Sequence, residues 1–159
     1  LYYIKMVGWS LYEDLKFGKI NEKKLCYYLN KDKYKNDFLK MYKNEKNQVD
    51  FKNNSEISEL KARQNEYSRY PTTFFGYNKL QHIDKLKNTK NRIFKFYFLF
   101  TDGLYEWTYN KDSKYEIRDY YHKERGMIKM VYVDIKDLTL ITKDLTSRCP
   151  LPSDYLSYL

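Results

Sequence analysis

Asp50, Glu59 and Lys61 are the residues whose types and spacing come closest to a definite chemistry. Lys52-Asn53-Asn54-Ser55 is a turn cluster, with two Asn residues that tolerate positive φ. Gln48 to Phe51 and Glu56 to Arg63 flank it as β-compatible runs, so the segment reads as a β-hairpin. Residues two apart on a strand share a face, which projects Glu59, Lys61 and Arg63 together. The turn folds Asp50, at the end of the first strand, back toward them. Two carboxylates and an ammonium on one face are hard to justify as packing, because facing carboxylates repel and their burial is costly. A hard cation resolves the conflict. Mg²⁺, or Mn²⁺ in its place, takes one or two carboxylates and keeps waters for substrate phosphate oxygens. A lysine beside it holds or deprotonates an attacking water and offsets charge building on phosphate. The competing reading is an exposed Glu59–Lys61 ion pair on an edge strand, worth little energetically.

The elements that must position these residues follow from periodicity. Residues 10–31 read as helix in two pieces. Ser10 caps the first, Gly18 interrupts, and Asn21 caps the second, whose apolar face is Leu25, Tyr28 and Leu29. Residues 31–47 carry Tyr34, Phe38, Leu39 and Tyr42 as a further amphipathic stretch. Pro71-Thr72-Thr73 punctuates the chain before a helical pattern over Gly76 to Lys87. Ile93 to Thr101 is an aromatic, central strand, and Asp102-Gly103 signals a hairpin returning through Leu104 to Tyr109. Met127 to Ile135 alternates as a strand, and Asp137 to Thr142 reads as an edge strand. Lys111 to Lys114 and His122 to Arg125 read as solvated loops, Trp9 and Trp107 as core, and the tail through Tyr155 and Tyr158 as an irregular segment able to dock. This order predicts an α/β (α+β) fold over residues 1–159 as one domain, with a mixed central β-sheet flanked by helices.

With those elements placed, Asp50-x8-Glu59-Leu60-Lys61 across a hairpin resembles the PD-(D/E)XK nuclease superfamily, the restriction-endonuclease-like fold. Upstream, Phe17-Gly18-Lys19-x-x-Glu22 is similar to the segment entering the first helix in many members. Downstream, the helix around Lys79 and Leu80 and the strand Phe94 to Thr101 stand where a helix and further strands follow the catalytic hairpin. The likeness covers about residues 15–110. Val49 stands where the motif's name has Pro. The resemblance implies a Mg²⁺-dependent DNA endonuclease, with Asp50 and Glu59 as metal ligands, Glu22 completing the metal site, and Lys61 acting on the water.

Composition supplies the substrate side. The chain has 30 Lys+Arg against 21 Asp+Glu, a net charge of +9, and 19 tyrosines. Such a balance suits an anionic partner, nucleic acid before an anionic membrane surface, or serves only solubility; the resemblance implies DNA before RNA. Arg63 is a candidate phosphate clamp, with a solvated strand end as the alternative. Arg69-Tyr70-Pro71-Thr72-Thr73 is placed to follow a DNA backbone, and Lys79, Lys85 and Lys87 decorate the next helix. No apolar run approaches the roughly 20 residues of a membrane span. The first ten residues carry no secretory apolar core, and Cys26 and Cys149 make no metal-ligand spacing. Reduced thiols in an intracellular protein, in cytoplasm or nucleus or with a virion, is the resulting expectation. A homodimer would match the two-fold symmetry of a duplex. The competing functions are a basic nucleic-acid-binding protein without turnover and a virion structural protein with a nuclease-like fold.

Overall fold

The computed structural model describes residues 11–41, 49–86 and 91–158. Ser10, Trp9 and Lys87, and the residues before Val49 in the predicted first strand, lie outside that set. Helix α1 (Leu11–Asp32) runs through Gly18 without a break. An interior glycine costs about 1 kcal/mol relative to alanine. Burial of Leu25, Cys26 and Leu29 on one stripe outweighs it, at about 1.5–3 kcal/mol for a large buried side chain. Asn21 therefore sits mid-helix and caps nothing; its amide donates to the Phe17 carbonyl one turn earlier, at 2.9 Å. Glu13 and Asp14 occupy the first turn, where the helix dipole favours acidic side chains.

The chain then turns rather than continuing as helix. Buried Asn30 fixes the exit: its Oδ1 accepts the Leu39 amide at 2.7 Å, and its Nδ2 donates to the Leu39 carbonyl at 3.0 Å. Strands β1 (Lys40–Met41), β2 (Phe51–Lys52) and β3 (Glu56–Ala62) follow. Strand β4 (Thr72–Gly76) runs straight into helix α2 (Tyr77–Lys85). Then come β5 (Ile93–Phe100), β6 (Gly103–Tyr109), β7 (Glu116–His122), β8 (Gly126–Asp134) and β9 (Thr139–Thr142).

The strands form two sheets. The larger has the order β1-β2-β3-β5-β6-β9, with β3 and β5 parallel and every other neighbour antiparallel. A parallel pair needs a long crossover, and here β4 and α2 provide it. The smaller sheet, β4-β8-β7, is antiparallel throughout. The α+β class and the mixed sheet match the expectation from sequence; the second sheet, and β4 and β7 within it, were not foreseen.

Strand β5 is buried on both faces. Tyr97 and Leu99 join Leu60, Phe51 and the α1 stripe, whereas Phe96, Phe98 and Phe100 join Phe75, Leu80, Ile83, Trp107, Val131 and Val133 from α2 and both sheets. The large sheet is thus the middle layer, with α1 on one side and α2 plus the small sheet on the other.

Two turns differ from expectation in mechanism. Asn53 and Asn54 do not use left-handed backbone, since Asn91 is the one non-glycine at positive φ among the described residues. Instead the Asn53 side-chain oxygen accepts the amides of Ser55 (3.0 Å) and Glu56 (2.7 Å), and Asp37 accepts from the Asn54 amide. The β5–β6 turn is centred on Thr101-Asp102, because Phe100 pairs with Gly103. Gly103 is already strand, and a Cβ there would lie 3.0 Å from the Thr142 carbonyl oxygen. The tail docks as expected, with the Tyr27 and Tyr158 rings 5.0 Å apart and Asn30 donating to the Tyr158 carbonyl. Cys26 and Cys149 are free thiols. Among the described residues, no helix is long and apolar enough to cross a membrane.

Candidate functional site

Strand β3 is the scaffold of the site because its two faces have opposite jobs. Leu60 packs toward α1, and on that same face Glu56 accepts hydrogen bonds from the Tyr34 and Tyr97 hydroxyls. Glu59 and Lys61 alternate onto the other face, beside Phe96 and Phe98 of β5. Phe51 pairs with Ser58, so the register continued by one residue sets Asp50 opposite Glu59. The Asp50 amide donates to the Ser58 carbonyl at 3.1 Å. Its carboxylate Oδ2 accepts the Leu60 amide at 2.8 Å, extending the ladder with a side chain where β2 has not yet begun. The juxtaposition expected from the hairpin is therefore present, although Asp50 stands just before the short strand β2 rather than at its end.

Glu59 is 2 % exposed. Its Oε1 accepts from Lys61 Nζ at 2.8 Å and from Lys79 Nζ at 2.9 Å. Its Oε2 is buried and finds no hydrogen-bond partner. A lone carboxylate at this depth would be expensive, and two ammoniums make it tenable. Burial, then the Glu59 charge, then Glu22 push the Asp50 carboxyl up to about 7, against the pull of Lys61 and the Leu60 amide. For Lys61, burial is the largest single influence and pulls its pKa down; the Glu59 and Asp50 carboxylates together more than offset it, so the net shift is upward. Lys61 is thus held as an ammonium, suited to orienting a water or a phosphate oxygen and not to taking a proton.

Glu22 approaches from α1. Burial raises its carboxyl, Lys19 opposes this through a 3.2 Å ion pair, and Glu59 adds to the rise. It lines the same cleft as Asp50 and Lys61, a space of about 600 Å³. Among the described residues, no group of three or more His, Cys, Asp and Glu side chains is gathered to hold a metal ion. Two carboxylates facing across an antiparallel pair, one with an unpartnered buried oxygen, are nonetheless a donor set that suits a hard cation, and Asp50 and Glu59 are the residues that would hold it. Glu22 stands apart from that pair, on the cleft wall.

The predicted nucleic-acid contacts divide. Arg69 lines the cleft, its guanidinium 5.8 Å over the Tyr70 ring. Arg63 also lines it, but its guanidinium donates to the Phe74 carbonyl and lies 5.0 Å over the Phe74 ring. It clips the end of β3 to β4, which is neither a solvated strand end nor an uncommitted phosphate clamp. Lys79 is a correction: α2 turns it inward onto Glu59 instead of presenting it on a basic surface. Sequence reading missed Arg118 and Tyr132, which complete the far wall of the cleft. Both belong to the small sheet, and the only signal for Arg118 was the run Glu116 to His122, whose alternation is blurred by charges on both faces.

The arrangement brings Asp50, Glu22 and Lys61 to a cleft that Arg63, Arg69 and Arg118 also line, with Glu59 buried behind Asp50 and Lys61 and not itself on the cleft surface. Arginines facing a cleft of this kind favour an anionic ligand. No protein-family model matches the chain, no curated protein matches it, and no solved structure matches it.

Proposed function

We propose that this protein is a Mg²⁺-dependent nuclease of restriction-endonuclease-like fold, hydrolysing phosphodiester bonds in DNA. The observation that carries the reading is the placement of Asp50 opposite Glu59 with Lys61 on the same face of β3, at a cleft that Arg69 and Arg118 also line. When bound between Asp50 and Glu59, a divalent cation would supply charge compensation at the scissile phosphate and acidify a bound water. The chain's own residues do the rest. Lys61, kept protonated, orients the attacking water and shares the charge developing on phosphate. Glu22 acts from the α1 wall through water, and Arg69 holds the phosphate backbone in line.

One observation favours a second reading. With Lys61 and Lys79 both on Glu59, its charge is already balanced inside the protein, as in a basic nucleic-acid-binding module without turnover. Nicking of supercoiled plasmid separates the two. The nuclease reading expects cleavage in Mg²⁺, none in EDTA, and loss in Asp50→Ala and Lys61→Ala. Metal-independent DNA binding that weakens steeply with salt, without nicking, supports the second reading instead.

A further inference from the structure

The far wall of the cleft contains a construction that phosphate binding alone does not require. Arg118 of β7 lies over the Tyr132 ring of β8, its guanidinium carbon 4.4 Å from the ring centroid. Tyr132 is itself backed by Phe74 of β4, with ring centroids 5.5 Å apart and planes inclined by 31°. The edge of the guanidinium is committed too: Nε and Nη2 both donate to Glu116 Oε2, at 2.9 and 2.6 Å. One face is on tyrosine and part of the fork is taken by a carboxylate. The side chain is still 45 % exposed and lines the cleft. An arginine meant as a phosphate clamp presents its fork to the anion. This one has its Nε–Nη2 edge committed to Glu116 and offers a flat cationic face.

Flat guanidinium and aromatic faces are what nucleobases stack on. In a duplex the bases are buried in the stack, so a base reaches such a face only when unpaired. The dimensions agree, since a cleft of about 600 Å³ is of the size that takes a small organic ligand such as an unpaired nucleotide. Asp50 and Lys61 line the same space, so a base on Arg118 belongs to a nucleotide close to the reacting phosphate.

We infer that the cleft receives an unpaired nucleotide, its base stacked on the Arg118–Tyr132 pair, and that the substrate class is single-stranded or locally opened DNA. The inference rests on the nuclease reading for the word substrate, but the base site stands or falls by binding. The test is fluorescence anisotropy in EDTA with the whole chain, comparing a labelled oligothymidylate with a blunt hairpin duplex of equal charge. The single strand is expected to bind at least about tenfold more tightly, in line with base–aromatic stacking energies. Arg118→Ala should remove most of that preference, and Arg118→Lys, which keeps the charge and loses the plane, should behave like Arg118→Ala. Rescue by Arg118→Lys would mean a phosphate contact and overturn the inference. So would equal binding of single strand and duplex, or thymidine monophosphate binding as tightly as the oligonucleotide, which would mark a mononucleotide pocket. Arg118-dependent single-strand binding in a protein that never nicks DNA would refute the nuclease reading and uphold the base site. Mg²⁺-dependent nicking with duplex and single strand bound alike would do the reverse.

Discussion

Replacing Asp50 with asparagine should stabilise the metal-free protein at neutral and alkaline pH. The side chain keeps its shape, and its oxygen can still accept the Leu60 amide that Asp50 Oδ2 accepts at 2.8 Å. Only the charge is lost, and that charge is opposed by burial, by Glu59 and by Glu22, which raise the carboxyl from 3.8 to about 7. The folded-state pKa lies above the unfolded one. The group therefore contributes its full stability below the unfolded value, near pH 4, and that contribution is lost as pH rises through about 7. A rise of this size corresponds to about 4 kcal/mol across the window. That rise is already net of the pull of Lys61, so Asp50→Asn should gain up to about 4 kcal/mol at pH 8 and close to nothing at pH 4. Urea denaturation in EDTA at the two pH values reads the difference directly. Mg²⁺ added at pH 8 should stabilise the natural protein and leave Asp50→Asn unchanged, because a ligand stabilises only the form that binds it. A loss of stability in Asp50→Asn at pH 8, or the same gap at both pH values, would refute the electrostatic reasoning.

Two further predictions concern the scaffold. Asn30→Ala should cost about 2–3 kcal/mol in denaturant unfolding, because it strips buried partners from the Leu39 amide and carbonyl and releases the Tyr158 carbonyl. Burial pushes the Cys26 thiol up to about 12, so at pH 8 alkylation followed by mass spectrometry should label half-buried Cys149 first and Cys26 only on unfolding.

The site was legible where strand alternation and one turn decide everything. Glu59 and Lys61 share a face because they are two apart on a strand, and Asp50 meets them because Asn53 tightens the turn, although it does so through its side chain and not through left-handed backbone. The aromatic run from Phe94 to Phe100 announced the central strand for the same reason: few environments except a sheet buried on both faces accept it. What stayed hidden depends on tertiary neighbours. Gly18 looked like a break, and only the stripe packing against Phe51, Leu60 and Tyr97 keeps α1 whole. Pro71 made β4 look like punctuation, yet Thr72 to Gly76 is held by pairing with Met130 to Asp134. Among so many basic residues, nothing local marks Lys79 as one that turns inward onto a carboxylate. Its partner Glu59 lies twenty positions earlier and is delivered by the crossover between β3 and β5.

The most direct measurement is the single-turnover rate of cleavage of a labelled single-stranded oligonucleotide in Mg²⁺, for the natural protein and for Glu59→Gln. Glutamine preserves the volume and removes the negative charge that Lys61 and Lys79 surround and that a cation would need. If Asp50, Glu59 and Lys61 form the reaction centre, the natural protein cuts and Glu59→Gln is slower by at least about a thousandfold, the scale on which loss of a main electrostatic contact to the reacting charge is felt. Cleavage by Glu59→Gln at the natural rate, with both proteins equally folded by circular dichroism, would contradict it.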